Sequence, residues 1–554
     1  MIPAGDAIEY RRLRATQVHG GVLIDPPLAT VATHLAKNLA ANLSLSRGGP
    51  CEIFGRPLAE LAAAARRELV AQARQYTANY RDVATAEWSP HDDAPIVLTG
   101  HQPQLYHPGV WFKSFALSEI ARRHGTHAVN LLIDNDTLRD ASLRVPTGSP
   151  HEPHIATVPF DEPGDEIPFE ERTIVDRVCF DSFGERTTAA IAPLVPNPLV
   201  SEMWPHAIAA ARQSANLGQA VSRARHVCEA GGGLRTLELP LSTVCNSASF
   251  RRFALHLLID APRLRDVYNS ALAEYRRVNR LRSHSHPVPD LASVGDAGGD
   301  WHETPFWIWT TAAPRRRQLF VRRGGDRLQL TDRGQVDLRL DVGEAFGAET
   351  AIDQLAAAEA RGIKLRPRAL VTTLYARLVL SELFLHGIGG AKYDQLTDAI
   401  IRRFFGLVPP VFLTLTVTAL LPVEHPVVTV DDVRRMDHEL RDLQFHPETF
   451  CTARSDESAA RELIENKRHL LAAVPPRGQS HHGERVARFH ALQQVNAALQ
   501  PFVAARRAAL LARRPSVQQA AARHALLAAR EFSFCLFPQD FLFSQLLDSC
   551  HAKP

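Results

Sequence analysis

Residues 96–136, IVLTGHQPQLYHPGVWFKSFALSEIARRHGTHAVNLLIDND, constrain the fold more than any other stretch of the chain. An apolar run, Ile96-Val97-Leu98, enters a polar loop at Gly100-His101-Gln102-Pro103. From 109 to 124 the pattern is helical, with Phe112, Phe115, Leu117 and Ile120 crowding one side, and 128–133 reads as a buried strand closed by Asp134-Asn135-Asp136. Strand, loop, helix and parallel strand form a unit whose carboxyl ends all point to one side of an open sheet. The loop 100–107 and the carboxylates of Asp134 and Asp136 are therefore expected to share one crevice, the candidate active site. The fold class expected is α/β, a Rossmann-like parallel-sheet core.

One such core does not account for 554 residues, so two or three structural units are expected. The divisions read from the pattern are a mainly helical region at 1–95, a first half of the core at 96–250 and a connecting helical and small β segment at 251–345. A second half of the core follows at 346–430, then a helical coiled-coil arm at 431–514 and a C-terminal helix and tail at 515–554 that docks on the core. Sixty-three basic against 60 acidic side chains give a net charge of +3, which makes no case for nucleic acid or an anionic membrane surface. Seven cysteines without a CxxC pair argue against a disulfide scaffold or zinc ribbon. The charged start MIPAGDAIEYRRLRATQ does not read as a signal peptide, and no apolar run reaches about 18 residues. A soluble cytoplasmic protein is expected.

Along the chain, Leu58, Leu61, Ala65 and Leu69 mark an amphipathic helix. The Pro- and acid-rich stretch 139–200 reads as irregular connections with short strands at 155–160 and 175–180. Residues 207–229 read as one helix broken by Gly231-Gly232-Gly233, and 253–281 as another. TPFWIWTT, RQLFVRR and RLQLTDR suggest a small meander with a hairpin turn at Gly324-Gly325-Asp326. Residues 391–405 read as a helix ended by Gly406, followed by a strand in VPPVFLTLTVTALLP. In the arm, Leu492, Val495, Leu499 and Phe502 form a coiled-coil seam, Pro501 is expected to kink or break the helix, and Pro475-Pro476 with GQSHHG separates two helices of a hairpin.

The chemistry concentrates at strand ends. His101, Gln102 and His107 can present imidazoles and backbone N–H groups to an anionic or nucleotide ligand, or the prolines beside them merely shape a connection. Lys113 adds a positive charge or is a solvated helix residue. Asp134 and Asp136, flanking Asn135, can bind a ribose, an amine or magnesium, serve as general base, or cap a turn. Gly387-Ile388-Gly389-Gly390 before Lys392 is an anion cradle or a plain turn; it lacks the GxxxxGK[ST] pattern. Arg315-Arg316-Arg317 can contact phosphate or form a solvated face. No metal set stands out.

At these residues the chain resembles the cysteine-adding enzyme family of bacillithiol synthesis (BshC-like). Thr99-Gly100-His101-Gln102 corresponds to the family's TGQQ-type loop, Lys113 to its aromatic, Lys-bearing helix, and Asp134-Asn135-Asp136 to its acidic strand end. HETPFWIWTTAAPRRRQLF, HGIGGAKYDQL and EFSFCLFPQDFLF resemble further family segments, from about Leu58 to the end of the chain. The resemblance implies a Rossmann-like core with connecting segments, a coiled-coil arm used for homodimerisation and a nucleotide-sized pocket at the strand ends. It implies a ligase that joins an amino acid, cysteine in the family, to an amine or amino sugar. His101, Asp134 and Asp136 would be catalytic. Gly100, Gln102, His107, Lys113, Asn135, Gly387, Gly389, Gly390, Lys392 and Tyr393 would bind substrate or nucleotide. Whether ATP or another adenine nucleotide is consumed stays open. The departures at His101-Gln102-Pro103 and Asn135 keep alive a non-catalytic relative that binds nucleotide or sugar and assembles through its coiled coil, and a hydrolase using the same pocket.

Overall fold

The computed structural model describes residues 8–11, 13–46, 51–83, 90–296, 299–343, 347–451, 458–473 and 481–551. They fall into two compact units: Met1–Val145, Ile155–Leu421 and Arg530–Pro554 in the first, Pro146–His154 and Pro422–Ala529 in the second. The strands are β1 (Val22–Asp25), β2 (Ile96–His101), β3 (His127–Leu132), β4 (Ser142–Ser149), β5 (Glu152–Pro159), β6 (Leu237–Pro240) and β7 (Ser293–Asp296). They continue with β8 (Gly299–Thr310), β9 (Ala313–Gly324), β10 (Arg327–Thr331), β11 (Asp337–Asp341), β12 (Ile363–Pro367), β13 (Leu383–His386) and β14 (Phe412–Val417).

The first unit is built on a six-stranded sheet in the order β1-β14-β13-β2-β3-β6. All neighbours are parallel except β1, which runs antiparallel at the edge on β14. From the central β2 the chain steps outward to β3 and β6, then returns to place β13 and β14 on the other side. This is the doubly wound order 3-2-1-4-5, with its topological switch point between β2 and β13. Val97, Leu98, Val129, Leu385 and Leu413 are all 0–1 % exposed, as continuous apolar strands covered on both faces must be. The α/β expectation holds.

An antiparallel sheet, β11-β10-β9-β8-β12 with β7 added on β8, lies between β6 and β13 in the sequence. The expected meander is this sheet, and Gly324 pairs Arg327 across the turn. The aromatic C-terminus packs in the first unit: the Phe534 ring lies tilted against Trp111, centroids 4.4 Å apart, and Phe543 meets Trp111 and Phe115 edge-on.

Three local expectations are corrected. Residues 175–180 are not a strand: Asp176 accepts from the Cys179 N–H and caps the helix Arg177–Ile191, and the β-branched Val175 and Val178 point to solvent. The single helix expected over 207–229 is two, Val200–Gln213 and Leu217–Gly231, because Asn216 caps the second by accepting from Gln219 N–H. In the second unit the helix His482–Leu527 runs through both Pro501 and Pro515 without a break. Pro501 sits on the exposed side, so the lost backbone bond does not disturb the buried Val495, Leu499 and Val503. Pro475-Pro476 lies outside the described residues. Among the described residues no helix is long and apolar enough to cross a membrane.

Candidate functional site

The site is built over the carboxyl ends of β2, β3 and β6. After β2 the chain turns at Gln102–Pro103 and enters the helix Pro108–His124, with Pro108 at its first position and His107 capping it by accepting from the Gly109 N–H at 3.1 Å. Gly109 carries no side chain because a Cβ there would lie 2.6 Å from the Val417 carbonyl oxygen of β14.

One turn in, Lys113 is buried and donates to the Gly100 carbonyl at 2.6 Å. Burial, with help from Arg225, pushes its ammonium down to about 7. His101 turns inward against Tyr106, ring centroids 4.8 Å apart, with Nδ1 3.2 Å from the Gln102 carbonyl. Burial and then the Lys113 charge hold it down to about 3, so it is a neutral imidazole and a weak base. His107 does not act alone either; its Nε2 faces Glu531 at 3.8 Å.

The carboxylates beyond β3 part company. Asp136 accepts from Gln102 Nε2 at 2.7 Å and from Arg316 at 2.9 Å, and Arg316 also reaches the Asn135 carbonyl and the Thr137 hydroxyl. Asp134 points the other way, buried, accepting from both the backbone N–H and the hydroxyl of Ser242 just after β6. Burial raises its carboxyl above the usual range against the pull of those bonds. Asn135 donates to the Pro367 carbonyl at 2.7 Å, tying the end of β3 to the end of β12.

Two adjoining cavities result. The smaller, about 230 Å³, is charged: Asp134, Glu170 and Glu171 face Lys364 and Arg366, with Ser242 and Gln219 between. The larger, about 530 Å³, lies beyond Pro103 and is bounded by His101, Gln102, Gln104, Asp136 and Thr137 on one side and by an apolar wall on the other. Both cavities lie over β2, β3 and β6, to one side of the switch point.

The second sheet supplies the cations. Arg366 of β12, 1 % exposed, makes two parallel bonds to Glu170 (2.9 and 2.8 Å) and reaches Glu359 as well. Burial nevertheless raises Glu170 to about 7, Arg366 opposing it and Asp134 reinforcing it. Trp307 is covered on its ring by Arg368 at 4.2 Å and Arg316 at 5.1 Å. Trp309 donates to Glu171.

Of the residues singled out from the sequence, His101, Gln102 and Asp136 line the larger cavity and Asp134 the smaller. Gly100, His107, Lys113 and Asn135 line neither cavity. Gly387, Gly389, Gly390, Lys392 and Tyr393 line neither cavity. The helix begins at Ile388 with Gly387 as its cap, so the glycines are the helix start rather than a turn before it. Gly390 makes room for His386, whose Nδ1 lies 2.6 Å from where a Cβ would be.

Sequence reasoning missed several groups. Glu170, Ser242 and Arg366 come from three distant elements with no local motif. His386 forms a buried pair with Asp394 at 3.0 Å, and Asp394 is held well below the usual carboxylate range; burial works against this, but the Arg377 guanidinium outweighs it, with His386 helping. Arg225 is buried between Glu229 and Glu238, which also accept from Trp111 and Asn130. The only sequence signal for these was charge inside otherwise apolar segments. Among the described residues no group of three metal-ligating side chains gathers. No protein-family model and no curated protein matches the chain.

Proposed function

We propose that the chain is an enzyme that joins an amino acid to an amine, with the amino acid held in the charged cavity. One observation carries this reading: three carboxylates and two cations line a space of about 230 Å³, smaller than the ~300–1,000 Å³ of drug-sized sites, and two of those carboxylates are raised by burial. A zwitterion suits such a wall, its ammonium against Asp134 and Glu171 and its carboxylate toward Lys364 and Arg366. In the bond-forming step the amino acid is supplied as an ester activated elsewhere, its acyl group where the free carboxylate binds. The amine nitrogen attacks the acyl carbon, the C–N bond forms, the acyl C–O bond breaks, and the proton from nitrogen passes through a carboxylate to the departing alcohol. Glu170, raised to about 7, is matched to that transfer near neutral pH.

The residues present do not provide for a nucleotide. Arg366 is committed to Glu170 and Glu359, Lys364 to Glu359, and Arg139 stands exposed at the rim of the larger cavity. With three carboxylates against those two cations the charged cavity repels a polyanion, whereas a zwitterion brings no net charge and can share Lys364 and Arg366 with their partners, so no step is derived through a polyphosphate.

The proton acceptor must be ionised, so turnover is expected to rise with pH through about 7 and level off above it. Glu170→Gln is expected to remove that limb and lower turnover by about 10². Calorimetry with the twenty amino acids tests binding first. Binding of none would sink the proposal; binding without product in mass spectrometry when amino-acid esters are offered with amine partners would favour a binding protein.

The arm carries the assembly part of the reading. Phe445, Leu471, Val486, Phe489 and Leu511 of the second unit are exposed, more apolar surface than a lone three-helix arm tolerates well. Light scattering at micromolar concentration is expected to give twice the 61.2 kDa chain mass; a monomer would count against the dimer.

A further inference from the structure

The larger cavity has a different chemistry from its neighbour. Its apolar wall comes from four separate segments: Leu138 and Leu143, Phe160, Phe169, and Leu217 with Val221. Each of these side chains is at most 9 % exposed, so the wall is part of the packed interior and not a chance surface patch. The opposite side is polar yet carries little free charge. Asp136 is paired with Arg316 and bonded by Gln102, His101 is neutral, and Gln104, Thr137 and Ser142 are uncharged. The two charged residues left, Arg139 and Asp140, are exposed at the rim.

The cavities are near neighbours. Phe169 faces the larger and Glu170 the smaller; Leu217 faces the larger and Gly218 the smaller. The partition between them is thin: a Cβ on Gly218 would lie 2.9 Å from Pro103 and 3.3 Å from Phe169. The two linings share Pro103, so a molecule in each would approach the other across that residue.

We propose that the larger cavity is a binding site for an uncharged, apolar ring bearing a neutral hydrogen-bonding group, and that the second substrate carries this group in place of a hydrophilic amino sugar. Calling the ligand the second substrate rests on the amino-acid reading of the charged cavity; the existence of the site does not. The ring lies against Phe160, Phe169, Leu143 and Val221, where removal from water drives binding. Its carbonyl, amide or hydroxyl meets Gln102 and Gln104, and an ionised group there would be stripped of water without a partner.

Benzamide is the probe: a neutral ring with one amide. Calorimetry on the full chain is expected to show it binding with a negative heat-capacity change, while glucosamine and inorganic pyrophosphate do not bind at this cavity. Val221→Glu, which puts a carboxylate on the apolar wall, is expected to weaken benzamide by about tenfold or more. Val221→Trp fills the space with an apolar side chain and is expected to do the same should the glutamate variant fail to fold. Glu171→Gln, in the other cavity, is expected to leave benzamide binding unchanged. The proposal is overturned if benzamide does not bind, if neither Val221 variant weakens it, or if glucosamine or pyrophosphate binds and is lost in those variants. Amino-acid binding is measured separately on the same proteins, so a failure there sinks the function proposed above and not this site.

Discussion

Arg225→Leu is expected to destabilise the first unit by about 3–5 kcal/mol, read as a fall in the urea midpoint at pH 8. The guanidinium is 3 % exposed and lies between Glu229 and Glu238, themselves 1 % and 0 % exposed. Without it the two buried carboxylates keep neutral donors, Trp111 for Glu229 and Asn130 and Tyr80 for Glu238, and the charge of Arg81. Burial already raises Glu238 above its ordinary value even with Arg225 opposing. A folded carboxyl that is raised binds its proton more tightly than the unfolded chain does, so stability falls as pH rises from the unfolded value to the folded one. Removing Arg225 pushes that window higher, and the loss is therefore larger at pH 8 than at pH 5. Replacing all three, Arg225→Leu with Glu229→Gln and Glu238→Gln, removes the stranded charges and is expected to recover at least half of the stability. An Arg225→Leu midpoint equal to the parent's at pH 8 would mean that the cluster does not form.

The second large effect belongs to Arg366. It is 1 % exposed, holds Glu170 in a two-bond fork and also contacts Glu359. Arg366→Leu is expected to cost about 3 kcal/mol at pH 8, since one partner of a buried pair is left behind. Glu359 keeps Lys364 at 2.9 Å, so most of the cost falls on Glu170. In the parent Glu170 titrates at about 7, raised by burial, so its contribution to stability declines as pH rises through roughly 4.5 to 7. At pH 5 it is protonated with or without the arginine, and the difference between the two proteins narrows. Under the function proposed above, the same variant also loses one of the two cations that face the amino-acid carboxylate. Equal losses at pH 5 and pH 8 would contradict the raised Glu170.

Much of the core could be read from local pattern because local pattern made it. Residues 96–136 announce strand, loop, helix and strand through short apolar runs, Pro108 at a helix start and a glycine, Gly125, with φ of 62° at the helix end. The second sheet was visible as alternating short segments. What could not be read was whatever depends on distant partners. Val175 and Val178 look like strand residues until Asp176 caps a helix around them. Arg316 stands in a run of three arginines, and nothing nearby says that it, and neither neighbour, holds Asp136 from 180 residues away. Glu170 and Arg366, 196 positions apart, have no periodicity or motif to betray them. Asp134 and Asp136 were expected to share one crevice, but the turn after β3 sends them to different cavities. The Gly387–Gly390 pattern reads as a turn or anion cradle ahead of a helix at 391; the glycines instead form the first turn of the helix Ile388–Ile400 and line neither cavity.

The strand order carries a consequence for how the chain reaches this state. β2 is the centre of its sheet, yet its second neighbour is made nearly three hundred positions later: Glu382, at the entrance to β13, bonds the Ile96 N–H across a separation of 286 residues. Between them the chain must produce β3, β6 and the whole antiparallel sheet. During vectorial synthesis β2 and β3 can pair early, but one edge of β2, apolar and flat, stands open until β13 emerges. That interval is the period of greatest exposure to edge-to-edge aggregation. Fragments ending before Leu383 should therefore be less soluble than the full chain even when they hold every residue of both cavities.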